Sequence, residues 1–415
     1  MKPFPVCTIP ALTPADDPVL GLAGQLKAIE EGVKSTEGAT IHLVRSVLSL
    51  SFAGVAALFV LLLVVPTLRA GEVEKVLLSF PLDGSTGANP NSGVIADAKG
   101  DLYGTTHDGG KYNFGVLFKL HRGREKVLHT FGGRDDFGYP LGRLVLDAAG
   151  NVYGGTQGGM VYKVSPKGRE TVLHAFSGGS DGGFIVHGLV ADAEGNLYGT
   201  TEDGGGSSRC ENGCGTIFKV TPDGQETLLY NFDGHGDGWN PRARVTMDAL
   251  GNLYGTTFAG GAYNRGSVFK LTPEGEFSTL YSFGGSGHPF TPVTLDEAGN
   301  LYGTTLDYFG EIYKLTPDGT YTVVYDFEGG SGGQGPQELI RDEAGNLYGV
   351  CGYPDQVFKV TPDGTKTELY VFSGGDDGST PVGPLYRDVR GNLYGTTYYQ
   401  GGGAGCVFEV VNQGN

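Results

Sequence analysis

Aromatic rings beside carboxylates recur in the loops of this 415-residue chain. Phe137 and Tyr139 lie near Asp135 and Asp136, Trp239 lies near Asp237, Tyr308 near Asp307, and Tyr353 near Asp355. The mixture suits sugars, because the C–H face of a sugar ring stacks on an aromatic ring while a carboxylate accepts hydrogen bonds from hydroxyls. The same aromatics could instead pack the loops down onto the frame, so a ligand face and packed loops both stand. Among eight histidines, His187 stands at the entry to an inner strand, where it would line a central channel, with His235 and His288 in nearby loops. Acid/base chemistry in a channel needs such groups. A satisfied or solvated histidine is the plainer role.

Cys210 and Cys214 flank Glu-Asn-Gly, and in an oxidising compartment they are expected to close a disulfide that rigidifies their loop. Cys351 and Cys406 are expected to be free buried thiols. The acidic, glycine-rich segments 178–183 (GGSDGG) and 374–378 (GGDDG) offer oxygen ligands of the kind calcium takes, but their spacing matches no calcium loop, and structural turns are expected there. No HExxH helix or pair of CxxC motifs offers a zinc site, and no metal or other cofactor is expected. Residues 178–182 and 329–333 formally satisfy GxSxG, yet a nucleophile elbow needs a strand-to-helix turn and both matches fall between strands.

The elements that would position these residues follow from a repeat. An apolar stretch ending in Asp, two residues, Gly-Asn, then Leu-Tyr-Gly-Thr-Thr recurs with variation from Leu102, Val152, Leu197, Leu253, Leu301, Leu347 and Leu393. Such a period indicates a propeller or solenoid, because one unit cannot bury its own faces. Each unit predicts four strands; in the third they cover 188–192, 196–201, 215–220 and 226–232. Asp-Ala-Glu-Gly-Asn at 192–196 and Thr-Pro-Asp-Gly at 221–224 are hairpin chemistry. A glycine inside a strand, such as Gly199, is expected where a neighbouring blade's backbone comes close. The last unit lacks a fourth strand and a spare one lies at 76–80, so the N-terminal strand should complete the last blade. The expected architecture is an all-β, seven-bladed propeller of four-stranded blades. Its turns would occupy one face and its loops of varying length the other, where binding sites concentrate.

Composition limits the partners. A formal net charge of −17 repels phosphate backbones, so nucleic acid is excluded as a partner. Residues 47–68 carry no charge and are long enough to cross a bilayer as a helix, with Arg45 ahead of them and Ala70 as a small residue for cleavage. Residues 44–70 are thus expected to be a signal peptide or a signal anchor, and membrane contact is expected only there. Residues 1–43 would be an extension, cytoplasmic or not translated, and 71–415 a monomeric propeller outside the cytoplasm.

Asp-x-x-Gly-Asn-Leu-Tyr-Gly-Thr-Thr, a Gly-rich loop, Val-Phe-Lys-Leu-Thr-Pro-Asp-Gly and Leu-Tyr-x-Phe in fixed order resemble the GloVer (Gloeobacter and Verrucomicrobium) tandem repeat over about residues 76–411. The resemblance implies an exported, choice-of-anchor bacterial protein and brings no assigned activity or catalytic residues. A C-terminal sorting segment is not expected after the last strand. Two functions remain in view. One is a cell-envelope binding module presenting Tyr139, His187, Asp237, Trp239, Tyr308 and Tyr353 to a glycan or protein. The other is a lyase or hydrolase at the channel mouth, since fold alone does not decide activity.

Overall fold

A unit of four short strands has two apolar faces, and both must be covered by its neighbours. In the computed structural model, which describes residues 74–132, 138–183, 188–285, 287–329 and 332–412, seven four-stranded antiparallel sheets form a seven-bladed β-propeller. Blade three runs outward through Val190–Ala191, Leu197–Thr201, Thr216–Val220 and Glu226–Asn231. Glu74–Ser79 pairs antiparallel with Cys406–Val410 and is the outermost strand of blade seven, so the two ends of the domain close the ring. The segments 1–43 and 44–70 lie outside the described residues. Among the described residues, no helix is long and apolar enough to cross a membrane.

Every position of the Leu-Tyr-Gly-Thr-Thr strand has a separate duty. Leu197 is buried between blades, as are its counterparts. Tyr198 donates its hydroxyl to Asp192 at 2.9 Å, and the same carboxylate accepts the Asn196 backbone N–H at 2.8 Å and its side-chain amide at 2.7 Å. Lys219 of the next strand lies over the Tyr198 ring at 5.7 Å, an arrangement repeated by Lys163 on Tyr153, Lys270 on Tyr254 and Lys314 on Tyr302. The first threonine staples blades together: Thr200 donates to the Ala243 carbonyl at 2.9 Å, Thr256 to Thr291 at 3.0 Å, and Thr396 to Ser92 across the closure at 2.8 Å. The second holds the following loop, as when Thr201 donates to the Asp203 carbonyl at 2.8 Å.

The glycine answers to a side chain rather than to a neighbouring blade's backbone. Gly199 pairs with Phe218 of its own blade, and a Cβ added at Gly199 would lie 2.6 Å from Phe218 Cζ. The ring lies over the glycine and fills the space a side chain would need. Tyr162 over Gly154 and Tyr313 over Gly303 repeat the device with tyrosine.

The covering aromatic then meets the Phe of the preceding blade's Leu-Tyr-x-Phe. Phe80 with Phe118, Phe131 with Tyr162, Phe176 with Phe218, Phe232 with Phe269, Phe283 with Tyr313, Phe327 with Phe358 and Phe372 with Phe408 have ring centroids 4.8–5.4 Å apart. One such contact occupies each of the seven interfaces, and the core divides into seven matching apolar clusters, one between each pair of consecutive blades.

The inner strands of blades one, three, four, five and six are only two residues long, shorter than the sequence predicts, whereas those of blades two and seven run through Pro140–Leu146 and Ser379–Arg387. In blade three, pairing within the sheet is confined to Val190–Ala191 because the flanks have other partners. Gly188 bridges in parallel to Arg143 of blade two, and the Asp192 N–H turns to the Asn196 carbonyl at 3.0 Å.

Two outcomes test this frame. Gly199→Ala should cost about 1–3 kcal/mol through the clash with Phe218, read as a lower unfolding midpoint, and an unchanged midpoint would show that the ring has room to move. The carboxylate of the turn gives a pH signature. Burial raises the pKa of Asp192, but the bonds from Asn196 and Tyr198 outweigh it and hold the carboxyl below the usual range. Its contribution is therefore present above the unfolded value of about 3.9 and is lost as pH falls through the lower folded value. The stability gap between the wild type and Asp192→Asn should be full at neutral pH and shrink below about pH 4. A gap of constant size in denaturant titrations at both pH values would count against it.

Candidate functional site

Alternating strand direction sends the Asp-x-x-Gly-Asn and Thr-Pro-Asp-Gly turns to one face, where they are short and internally bonded. In the Thr-Pro-Asp-Gly turn, Thr221 bonds to Asp223, and Gly224 N–H returns to the Thr221 carbonyl at 2.9 Å. Loops that enter each blade's inner strand, and those between second and third strands, make the other face.

A bracket not foreseen from the sequence fixes that second face. An X-Pro pair opens each of several inner strands, with X in the left-handed region: Asn89, Tyr139, Asn240, His288 and Thr380 have φ between 53 and 56°. Tyr139 N–H donates to the Phe114 carbonyl at 2.8 Å, while its own carbonyl accepts from Gln157 N–H in the next blade at 2.9 Å. Asn240 does the same between Cys214 and Phe258, at 3.1 and 2.9 Å. The backbone of X is thus shared by two blades, which holds a bulky residue in a conformation it rarely adopts. The recurring Pro in the inter-blade loops was the signal available in the sequence.

The predicted site residues part company on this frame. Tyr139 is half-buried, with its ring 4.6 Å from His107 and 5.1 Å from Phe114. Trp239 is half-buried against the cluster between blades three and four, and Asp237 binds its own loop through Tyr230 at 3.0 Å and the Asp233 N–H at 2.9 Å. His187, Asp135, Asp136 and Phe137 lie outside the described residues. His288 bonds Asp307 at 2.7 Å, and Arg265 holds the same carboxylate at 2.6 Å. Burial raises the Asp307 pKa, but His288, Arg265 and the Gly287 N–H outweigh it, and the group sits below the usual range. His235 is exposed and bonds Arg209 at 3.0 Å.

Tyr308 and Tyr353 are brought together. Both line a cleft of about 360 Å³ over blades five to seven, with Leu306, Gln334, Gln337, Asp355 and Pro381. Tyr308 is 91% exposed at φ 59°, and Tyr353 is 77% exposed at φ 47°. Asp355 accepts the Thr380 N–H at 2.7 Å, which anchors the wall beside the second tyrosine.

The remaining motifs serve structure. Cys210 and Cys214 form a disulfide with Cα atoms 5.2 Å apart, and Cys351 and Cys406 are free and buried. Burial pushes both thiols up to about 12, which leaves them inert at neutral pH. In the two acidic glycine-rich segments, Asp181 and Asp377 accept the N–H of Ser177 at 3.0 Å and of Ser373 at 2.7 Å, so these carboxylates close their own loops. Among the described residues, no group of three His, Cys, Asp or Glu is placed to hold a metal ion.

The channel mouth holds a charged set that the motifs did not reveal. Arg143, Arg244 and Glu338 come from the inner edges of blades two, four and six. These blades are not neighbours, so their side chains meet only across the channel. Arg244 donates to Glu338 at 2.6 Å, and Arg143 lies 3.8 Å from the same oxygen. Burial and the nearby Arg244 charge push Arg143 below its ordinary value, against the pull of Glu338. Each of the three stands four residues before its blade's repeat Asp (Asp147, Asp248 and Asp342), a position held by Gly93, Gly188, Pro292 and Pro384 in the other four blades.

Solved structures share this architecture. A streptogramin B lyase is 16% identical over 81% of this chain and 97% of its own, with a TM-score of 0.59. Virginiamycin B lyase from Staphylococcus aureus is 13% identical over 82% and 100%, with a TM-score of 0.58. The extracellular domain of a protein assigned to the hybrid two-component systems of B. thetaiotaomicron is 14% identical over 83% of this chain and 42% of that one, with a TM-score of 0.56. At such identities the likeness shows the fold alone. No curated protein sequence matches the chain. The Gloeobacter/Verrucomicrobia repeat model matches residues 156–356, and the repeats in that span are of the Gloeobacter/Verrucomicrobia type.

Proposed function

We propose that this protein is an exported cell-envelope binding module that takes a glycan in the cleft between Tyr308 and Tyr353. The observation that carries this function is the pair of exposed rings in strained backbone. An exposed tyrosine in the left-handed region costs free energy that glycine would not, so two of them flanking one cleft point to a use outside folding. The rings offer faces for sugar C–H groups, and Gln334, Gln337 and Asp355 offer polar atoms for hydroxyls. A cleft of this size is in the range that small ligands occupy. Residues 44–70 would serve as signal peptide or signal anchor, leaving 71–415 outside the cytoplasm, where solved neighbours include an extracellular domain. Binding is favoured over lyase or hydrolase chemistry because the channel carboxylate, Glu338, is ion-paired to Arg244, which suits holding charge rather than moving a proton.

The test is a glycan array followed by titration of the best hit. Tyr308→Gly and Tyr353→Gly should each weaken binding by about tenfold or more while the unfolding midpoint stays level or rises. Trp239→Ala should lower the midpoint with little direct effect on the ligand. Retention of no glycan at all, or full affinity in both tyrosine variants, would sink the assignment.

A further inference from the structure

The charged set at the channel mouth is not used by the glycan cleft, and its composition is unbalanced. Two guanidinium groups face one carboxylate, leaving about one unit of positive charge inside a chain whose net charge is −17. Arg244 and Glu338 have side chains only 12% and 9% exposed, whereas Arg143 keeps 35% of its side chain accessible. Arg143 approaches Glu338 at 3.8 Å, too far for a hydrogen bond, and the buried Nε of Arg244 also has no hydrogen-bond partner. A buried donor left without an acceptor is costly, and guanidinium forks match planar or tetrahedral oxyanions.

The space beside them is small and specific in shape. Arg143, Glu338, Gln337, Ser92, Asn91 and Thr291 are among the residues lining a cavity of about 40 Å³. That is room for a few water-sized atoms, enough for a carboxylate or a tetrahedral oxyanion and too little for a sugar ring. The site is also local: four of the seven equivalent ring positions are glycine or proline, so the charge is not a property of the repeat.

We propose that the channel mouth is a binding site for a small oxyanion, held by the Arg143 guanidinium with Arg244 behind it, and that Glu338 competes with the anion for both arginines. The site shares Gln337 with the wall of the glycan cleft but uses charged groups that do not line that cleft, and it does not rest on the glycan reading.

The experiment follows the unfolding midpoint of the full chain against acetate and against inorganic phosphate, each compared with chloride at equal ionic strength. Exclusion of these salts from the surface also stabilises proteins, but that effect does not saturate and is shared by all variants. A saturable rise is expected in the wild type. Arg143→Gln should shift half-saturation upward by about tenfold or more. Glu338→Gln should lower the midpoint without anion, because it unpairs Arg244, yet tighten half-saturation. Response to acetate alone assigns a carboxylate, and response to phosphate alone a tetrahedral oxyanion. Absence of a saturable response to either, or a response that Arg143→Gln and Glu338→Gln leave unchanged, would show a purely structural ion-pair set and overturn the assignment.

Discussion

The ring depends on an aromatic side chain lying over a strand glycine. Phe218 can turn toward the blade before it only because Gly199 opposite has no Cβ, and the ring then meets Phe176 with centroids 4.8 Å apart. Equivalent contacts at the other six interfaces make the repeat a device for passing one aromatic edge to the next blade. A side chain on the glycine would push the ring into that interface, so strand and interface are set by a single atom's absence. The threonine staples act on the same boundary, since Thr200, Thr256 and Thr396 give hydroxyls to inner-strand carbonyls that a two-residue ladder leaves unpaired.

This frame separates positions that the repeat fixes from positions it leaves free. On the turn face the repeat Asp of blades two to seven holds its Asn and Tyr, as Asp192 holds Asn196 and Tyr198. In blade seven Glu409 stands at the Lys position and accepts from Tyr394 at 3.0 Å, which leaves little there to meet a partner. Blade one varies the scheme with Asp101 in place of Asn, and Lys119 bonds that carboxylate at 2.7 Å. On the loop face the X-Pro bracket uses only backbone atoms of X. Its side chain differs with the blade, as Asn89, Tyr139, Asn240, His288 or Thr380, and the two asparagines add a side-chain amide hydrogen bond to a carbonyl of the preceding blade, at 3.1 Å to Tyr398 and 3.3 Å to Glu202.

Blade number, ring closure and the hairpin turns were legible in the sequence because they depend on local spacing that recurs. The disulfide partners were legible for the same reason, four residues apart in one loop. Loop aromatics were not, since a loop has no period to say which way a ring points. Trp239 turns down onto Gly260, where an added Cβ would lie 2.6 Å from its ring, while Tyr308 turns out. The glycine was assigned to the wrong neighbour because its covering ring sits in the adjacent strand of its own blade, a cross-strand relation that only register reveals. The arginines escaped notice for a further reason: a search for what recurs passes over the position that does not.

That position shows how a repeat architecture acquires chemistry. Seven equivalent inner edges would place seven like groups around the channel, and seven like charges would repel. Glycine or proline at four of them and charge at three relieves this, and the three charges come from alternate blades, where each has space to reach the axis. Their meeting is possible only in the closed ring, because blades two, four and six share no interface. The pairing of Glu74–Ser79 with Cys406–Val410 therefore does more than stabilise two blades. It sets the diameter at which Arg244 reaches Glu338, and so couples the channel site to the integrity of a ladder at the far edge of blade seven.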